Sequence, residues 1–126
     1  MFLELLFIYL MTYLKLILFR ITIHQYQRNA IKTAVYPKKY NISYPALGLA
    51  EEAGEVAGKV AKMMRDEIPM QEQKEKIEAE MGDVLWMLAA LAYDCGLSLQ
   101  VIAEKNVEKL QARQKAGTLH GEGDNR

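Results

Sequence analysis

Pro69 separates two stretches that both repeat apolar residues at helical spacing, about Pro45 to Asp66 and about Gln71 to Asp94. A proline inside a helix removes a backbone donor and clashes with the preceding turn, so one continuous helix is excluded. The connection left around Pro69 is short, and two long helices so joined are antiparallel neighbours. The rest of the chain has to fit around that pair. A shorter helix is expected over about Ile23 to Val35, stopping near Pro37. The polar loop "YPKKYNISYP" follows, and its Pro45 suits a helix's first turn. Gly96 reads as the residue just past a helix end, and Ser98 as the N-cap of a last helix from about Leu99 to Lys115, closed by Gly117. No segment shows sustained strand alternation and no internal repeat is present. The expected fold class is all-α: an antiparallel helical bundle of four main helices, with a hydrophobic N-terminal helical segment added.

That added segment, "MFLELLFIYLMTYLKLILFR", changes character at about Ile21. Its longest uncharged run, Leu5 to Leu14, is well short of the ~20 residues that span a bilayer as a helix. It also lacks the basic start and small-residue cleavage pattern of a secretory signal. Three readings stay open: a helix packing on a partner, a weak membrane anchor, or an extension upstream of the working domain. The extension is preferred, so residues 1–20 are set apart and residues 21–126 are taken as the domain with its Gly-rich tail, "GTLHGEGDNR". Sixteen basic and sixteen acidic residues cancel, which argues against a nucleic-acid partner. The single cysteine, Cys95, has no partner for an internal disulfide. A reducing, cytoplasmic location is the simplest reading, with Cys95 a small core residue.

Charge is concentrated locally in "LGLAEEAGEVAGKV". With Glu51 as zero, Glu55 falls at about 40° and Glu52 at about 100° around the helix, so Glu52 borders the apolar arc. A bland account pairs Glu55 with Lys59 at i+4 on a solvated surface. The next helix weakens that account. Glu80 shares its face with Ile77, Val84, Met87 and Leu91, and Asp83 lies about 60° to one side. A carboxylate on an apolar face needs a cation or a proton. Lys76, at i−4, could serve Glu80, but the other acids would need partners of their own.

A divalent metal neutralises several carboxylates at once. Hard oxygen ligands suit Mg²⁺, with Mn²⁺ as a possible substitute, and no Cys or His cluster suggests zinc. Glu52 with Glu55, and Glu80 with Asp83, are i,i+3 pairs that facing helices would bring to one ion. A di-iron carboxylate bundle would need Glu-x-x-His, which is absent. Ala50, Ala53, Gly54, Ala57, Gly58 and Ala61 crowd the same helix, and Gly82 separates the later acids. Close helix approach is the expected return, although ordinary tight packing is compatible. On the last helix Asn106, Lys109 and Arg113 share a stripe suited to phosphate, where Arg grips two oxygens and Lys acts as a point charge. The alternative is that they snorkel at the helix edge.

Glu51-Glu52-Ala53-Gly54-Glu55 and Glu80-Met81-Gly82-Asp83 resemble the E-E-x-x-E and E-x-x-D motifs of the MazG-like nucleoside triphosphate pyrophosphohydrolases. "YPALGLAEEAGEVAGKV", "GDVLWMLAALA", "NVEKLQAR" and the tail resemble the family as well, so the likeness covers about Ile21 to Arg126. The resemblance implies hydrolysis of nucleoside triphosphates between the α and β phosphates. It implies Mg²⁺ held by Glu52, Glu55, Glu80 and Asp83, with Glu51 as base or orienting group for water. Lys109 and Arg113 would then stabilise the leaving pyrophosphate, and Asn106 would hold an acid ligand or the nucleotide. Gln25, Tyr26, Asn29 and Trp86 are candidates for nucleoside contacts, and the tail with His120 and Asp124 for closure over a bound nucleotide. The resemblance also implies a homodimer or homotetramer. The rival reading is a non-enzymatic helical interaction module, tethered to a membrane by the N-terminal segment.

Overall fold

The computed structural model describes residues 2–18 and 20–120 of the 126-residue chain. Among them are five α-helices and no strand: α1 (Phe2–Leu18), α2 (Ile23–Ala30), α3 (Ser43–Arg65), α4 (Met70–Asp94) and α5 (Leu99–Ala116). The all-α expectation holds. The first domain helix is shorter than its spacing suggested, because α2 tightens into a 3₁₀ turn at Ile31–Thr33 before Pro37 is reached. In α1 every side chain from Leu3 to Met11 is exposed. No single described helix is long and apolar enough to cross a membrane. Asp124 of the tail lies outside the described residues.

Helix ends follow local chemistry. Thr22 and Gln25 form a reciprocal capping box at the start of α2, and Ser98 caps α5 by accepting from the Val101 N–H. Gly96 and Gly117, both at φ 70°, close α4 and α5. The N–H of the following residue reaches back to Ala92 O (2.7 Å) and Arg113 O (2.9 Å) respectively. Glu67, at φ 51°, performs the same turn after α3 without a glycine.

The most extensive pairing joins α3 to α4. Residue order along this seam runs in opposite senses: Gly48 meets Met87 near one end and Lys59 meets Glu80 further along. A Cβ on Gly48 would lie 2.5 Å from Met87 Sδ, so glycine permits the close approach there. At Gly54, Gly58 and Gly82 a Cβ would meet nothing within 4 Å, which corrects the expectation that these glycines serve helix contact within the chain.

Small residues dominate the interior. Ala30, Ala89 and Leu99 form a cluster against which Tyr26, Trp86 and Leu88 pack. Buried Gln27 (6% exposed) binds three elements together. Its Nε2 donates to Ala89 O (3.3 Å) and Leu97 O (3.1 Å), and its Oε1 accepts from Leu99 N–H (2.9 Å). The chain turns by 104° between α4 and α5 at that point. Cys95 is exposed rather than buried, because it sits on the surface turn that ends α4.

Gln27→Leu keeps the volume but strips partners from a buried N–H and two carbonyls, and a loss of about 2–4 kcal/mol is expected in urea denaturation. Gly54→Ala is expected to gain about 0.8–1.0 kcal/mol in the same measurement, since the added methyl meets open space.

Candidate functional site

The α3–α4 seam brings three of the acids together. Glu52, Glu80 and Asp83 each offer a carboxylate oxygen, and these oxygens lie within 4.8 Å of one another. Glu52 and Glu80 are half-buried and Asp83 is exposed. The clustering follows from antiparallel order, since Glu52 sits one turn beyond Gly48 on α3 and Asp83 one turn before Met87 on α4. Glu51 and Glu55 are exposed on α3, outside the group of three. Partial burial, then the charges of Asp83, Glu51, Glu80 and Glu55, hold the Glu52 carboxyl above its ordinary range.

One cation enters this cluster. Lys59 Nζ lies 3.2 Å from Glu80 Oε1, across the helix pair. The lysine that the sequence matched with Glu55 thus serves the other helix, and it takes the part considered for Lys76. Among the described residues no lysine or arginine forms an ion pair with Glu52 or Asp83. Three convergent hard-oxygen donors with one compensating lysine leave an excess of negative charge, and such a set fits a hard divalent cation.

The remaining sequence candidates divide. Tyr26 is half-buried against the core cluster, and its hydroxyl is raised above the usual value by burial and then by the charge of Asp83. Trp86, three residues past Asp83, packs on the core and donates Nε1–H to Ala30 O (3.2 Å) and Thr33 Oγ1 (2.8 Å). The Gln25 side chain is used in the α2 cap, and Asn29 Oδ1 accepts from Lys32. On α5, Asn106 and Lys109 are exposed, whereas Arg113 is buried at 8%. Helix α5 packs on α2 and α4. His120 is exposed at the end of the described residues.

Sequence reading missed the aromatic wall beside this site. Tyr36 stacks on Tyr44 (centroids 4.8 Å apart, planes at 24°) and meets Trp86 edge-on at 6.4 Å. With Tyr40 they line a cavity of about 350 Å³. Three tyrosines in a single polar loop, Tyr36, Tyr40 and Tyr44, were the signal that could have found it.

The described residues thus define an all-α protein with carboxylates gathered between two antiparallel helices. Residues 43–118 match the MazG nucleotide pyrophosphohydrolase domain, and the chain belongs to that family. It is similar to the "Gene 37 protein" of Mycobacterium phage L5, at 40% identity over 109 residues, covering 80% of this chain and 96% of that protein. No solved structure matches.

A group whose pKa rises on folding stabilises the fold only while protonated, and that contribution is lost as pH rises through the raised value. Ionised Glu52 is therefore a net cost at neutral pH. Glu52→Gln is expected to raise the Tm of chelator-treated protein there. The gain should shrink on acidification, as Glu52 itself takes up a proton.

Proposed function

We propose that this chain hydrolyses nucleoside triphosphates, deoxy or ribo, between the α and β phosphates to give the monophosphate and pyrophosphate, with Mg²⁺ as cofactor. The observation that carries the reading is the approach of Glu52, Glu80 and Asp83 oxygens to within 4.8 Å across α3 and α4 in a MazG domain. Glu52, Glu80 and Asp83 hold the ion, and Glu55, one turn along α3 from Glu52, completes the ligand set by rotamer change. Mn²⁺ can replace it. The bound ion supplies charge neutralisation at the phosphate oxygens. Glu51, adjacent in sequence but outside the ligand group, accepts the proton of the attacking water. Lys59, already paired with Glu80, keeps that carboxylate ionised and oriented.

Tyr26 and Trp86 bracket the nucleoside side, with the base entering the aromatic cavity that Trp86 shares with Tyr36 and Tyr44. Asn106, Lys109 and Arg113 act on the phosphates, supplied to the acids in an assembly of two or four copies. Exposed apolar residues support that assembly: Leu47, Met81 and Leu85 on the helix pair, and Ile102, Val107 and Leu110 on α5. The role is clean-up of the nucleotide pool in the cytoplasm.

One observation favours a non-enzymatic helical module instead, namely that Glu80 already has a cation in Lys59. The two readings separate in a single set of measurements. Pyrophosphate release from a panel of standard and modified nucleotides is expected to require Mg²⁺, and Glu80→Ala is expected to lower it at least about a hundredfold while the protein stays folded. Full activity of folded Glu80→Ala would remove the assigned site. Mg²⁺ at a hundred times its Kd is expected to stabilise the protein by about 2.7 kcal/mol. Protonation of Glu52 competes with the ion, so this gain should shrink as pH falls.

A further inference from the structure

One carboxylate organises the loop between α2 and α3. Asp94, the last residue of α4, accepts through the same Oδ2 from the Tyr36 hydroxyl (2.8 Å) and from the Ile42 N–H (3.0 Å). The C-terminal end of a helix disfavours negative charge. Two charge-assisted hydrogen bonds offset that cost. Ile42 needs such support. Its backbone lies at φ 69°, ψ −56°, and the Ser43 N–H closes onto Asn41 O at 2.8 Å. This is the γ-turn of positive φ, rare and strained for any residue and more so for a β-branched one. Strain of this kind persists where surrounding contacts over-determine it, and the Asp94 bond is one such contact.

The consequence falls on the aromatic cavity. Tyr36 carries the ring that stacks on Tyr44 and stands edge-on to Trp86, and its only polar atom is held by Asp94. Tyr44 follows the strained turn by two residues, so the Ile42 bond orients the other half of the stack. Trp86 lies about 4.5 Å along α4 from Asp83, which sets the cavity one helical turn from the clustered acids. Asp94, eleven residues beyond Asp83, contacts none of those acids.

We propose that Asp94 is a positioning residue for nucleotide binding: by clamping Tyr36 and the Ile42 turn, it fixes the aromatic wall against which the base stacks. It acts on KM and leaves the reacting atoms alone. The inference rests on the nucleotide reading above, and the following measurements keep the two apart. Steady-state hydrolysis, inhibition by pyrophosphate and acrylamide quenching of Trp86, the sole tryptophan, are compared in wild type, Asp94→Ala, Asp94→Asn and Tyr36→Phe. Asp94→Ala is expected to raise KM about tenfold, with kcat within about twofold, as loss of binding made equally in the ground and transition states requires. Pyrophosphate inhibition should stay unchanged, because pyrophosphate has no base, and Trp86 should become more accessible to quencher. Asp94→Asn retains an acceptor and should recover most of the affinity. Tyr36→Phe should fall between, and should add nothing when combined with Asp94→Ala. Unchanged KM and quenching in Asp94→Ala overturn the proposal, as does a fall in kcat at constant KM. A wild type that releases no pyrophosphate from any nucleotide defeats the hydrolase reading and the nucleotide role with it. Quenching then still decides whether the clamp exists, and an unaltered Trp86 overturns that too.

Discussion

Pairing of α3 with α4 holds like charges closer than they would stand in water, and the rest of the molecule is arranged around that constraint. Three carboxylates converge along a seam with one lysine between them, so the pairing is opposed locally by repulsion and partial desolvation. Close packing elsewhere on the same seam resists this. Gly48 admits Met87 at a distance no side chain would allow, and Pro45 in the first turn of α3 is fully buried. A site that is costly when empty is well suited to bind a cation, because the ion relieves the repulsion that the fold imposes.

The second constraint is a small interior. A core built mainly from alanines and a few larger side chains buries little apolar area, so directional bonds carry more of the burden of specifying geometry. Gln27 is the clearest case. Its amide is fully engaged by two carbonyls and one N–H from the end of α4 and the start of α5, and it thereby sets where α5 departs. The exposed apolar residues of α3, α4 and α5 are the counterpart of this thin core. They are the surface on which the proposed assembly would form.

Acids and aromatic wall are linked through α4. Asp83, Trp86 and Asp94 lie along one helix, so a rigid element spaces the proposed ion, base and loop clamp by helical rise alone. Tyr36 illustrates the coupling. Burial and then its bond to Asp94 push its hydroxyl up to about 12, so the phenol stays a donor throughout the physiological range. Loop geometry and site geometry are therefore set by the same helix.

Helical spacing, Pro69, Gly96, Gly117 and Ser98 were enough to determine the order of the domain's helices and most of their ends, because these are local properties of the backbone. The placement of Glu52 and Glu80 toward the neighbouring helix was also legible, since periodicity tells which side of a helix a residue occupies. Periodicity does not tell how two helices rotate or slide against each other, and that decided everything else. It gave Lys59 to Glu80 rather than to Glu55, left Gly54, Gly58 and Gly82 with open space, and put Cys95 at the surface. Gln27 and Asp94 looked like ordinary polar residues for the same reason. Their partners lie 52 to 72 positions away, and only the packed tertiary structure brings such groups within hydrogen-bonding distance.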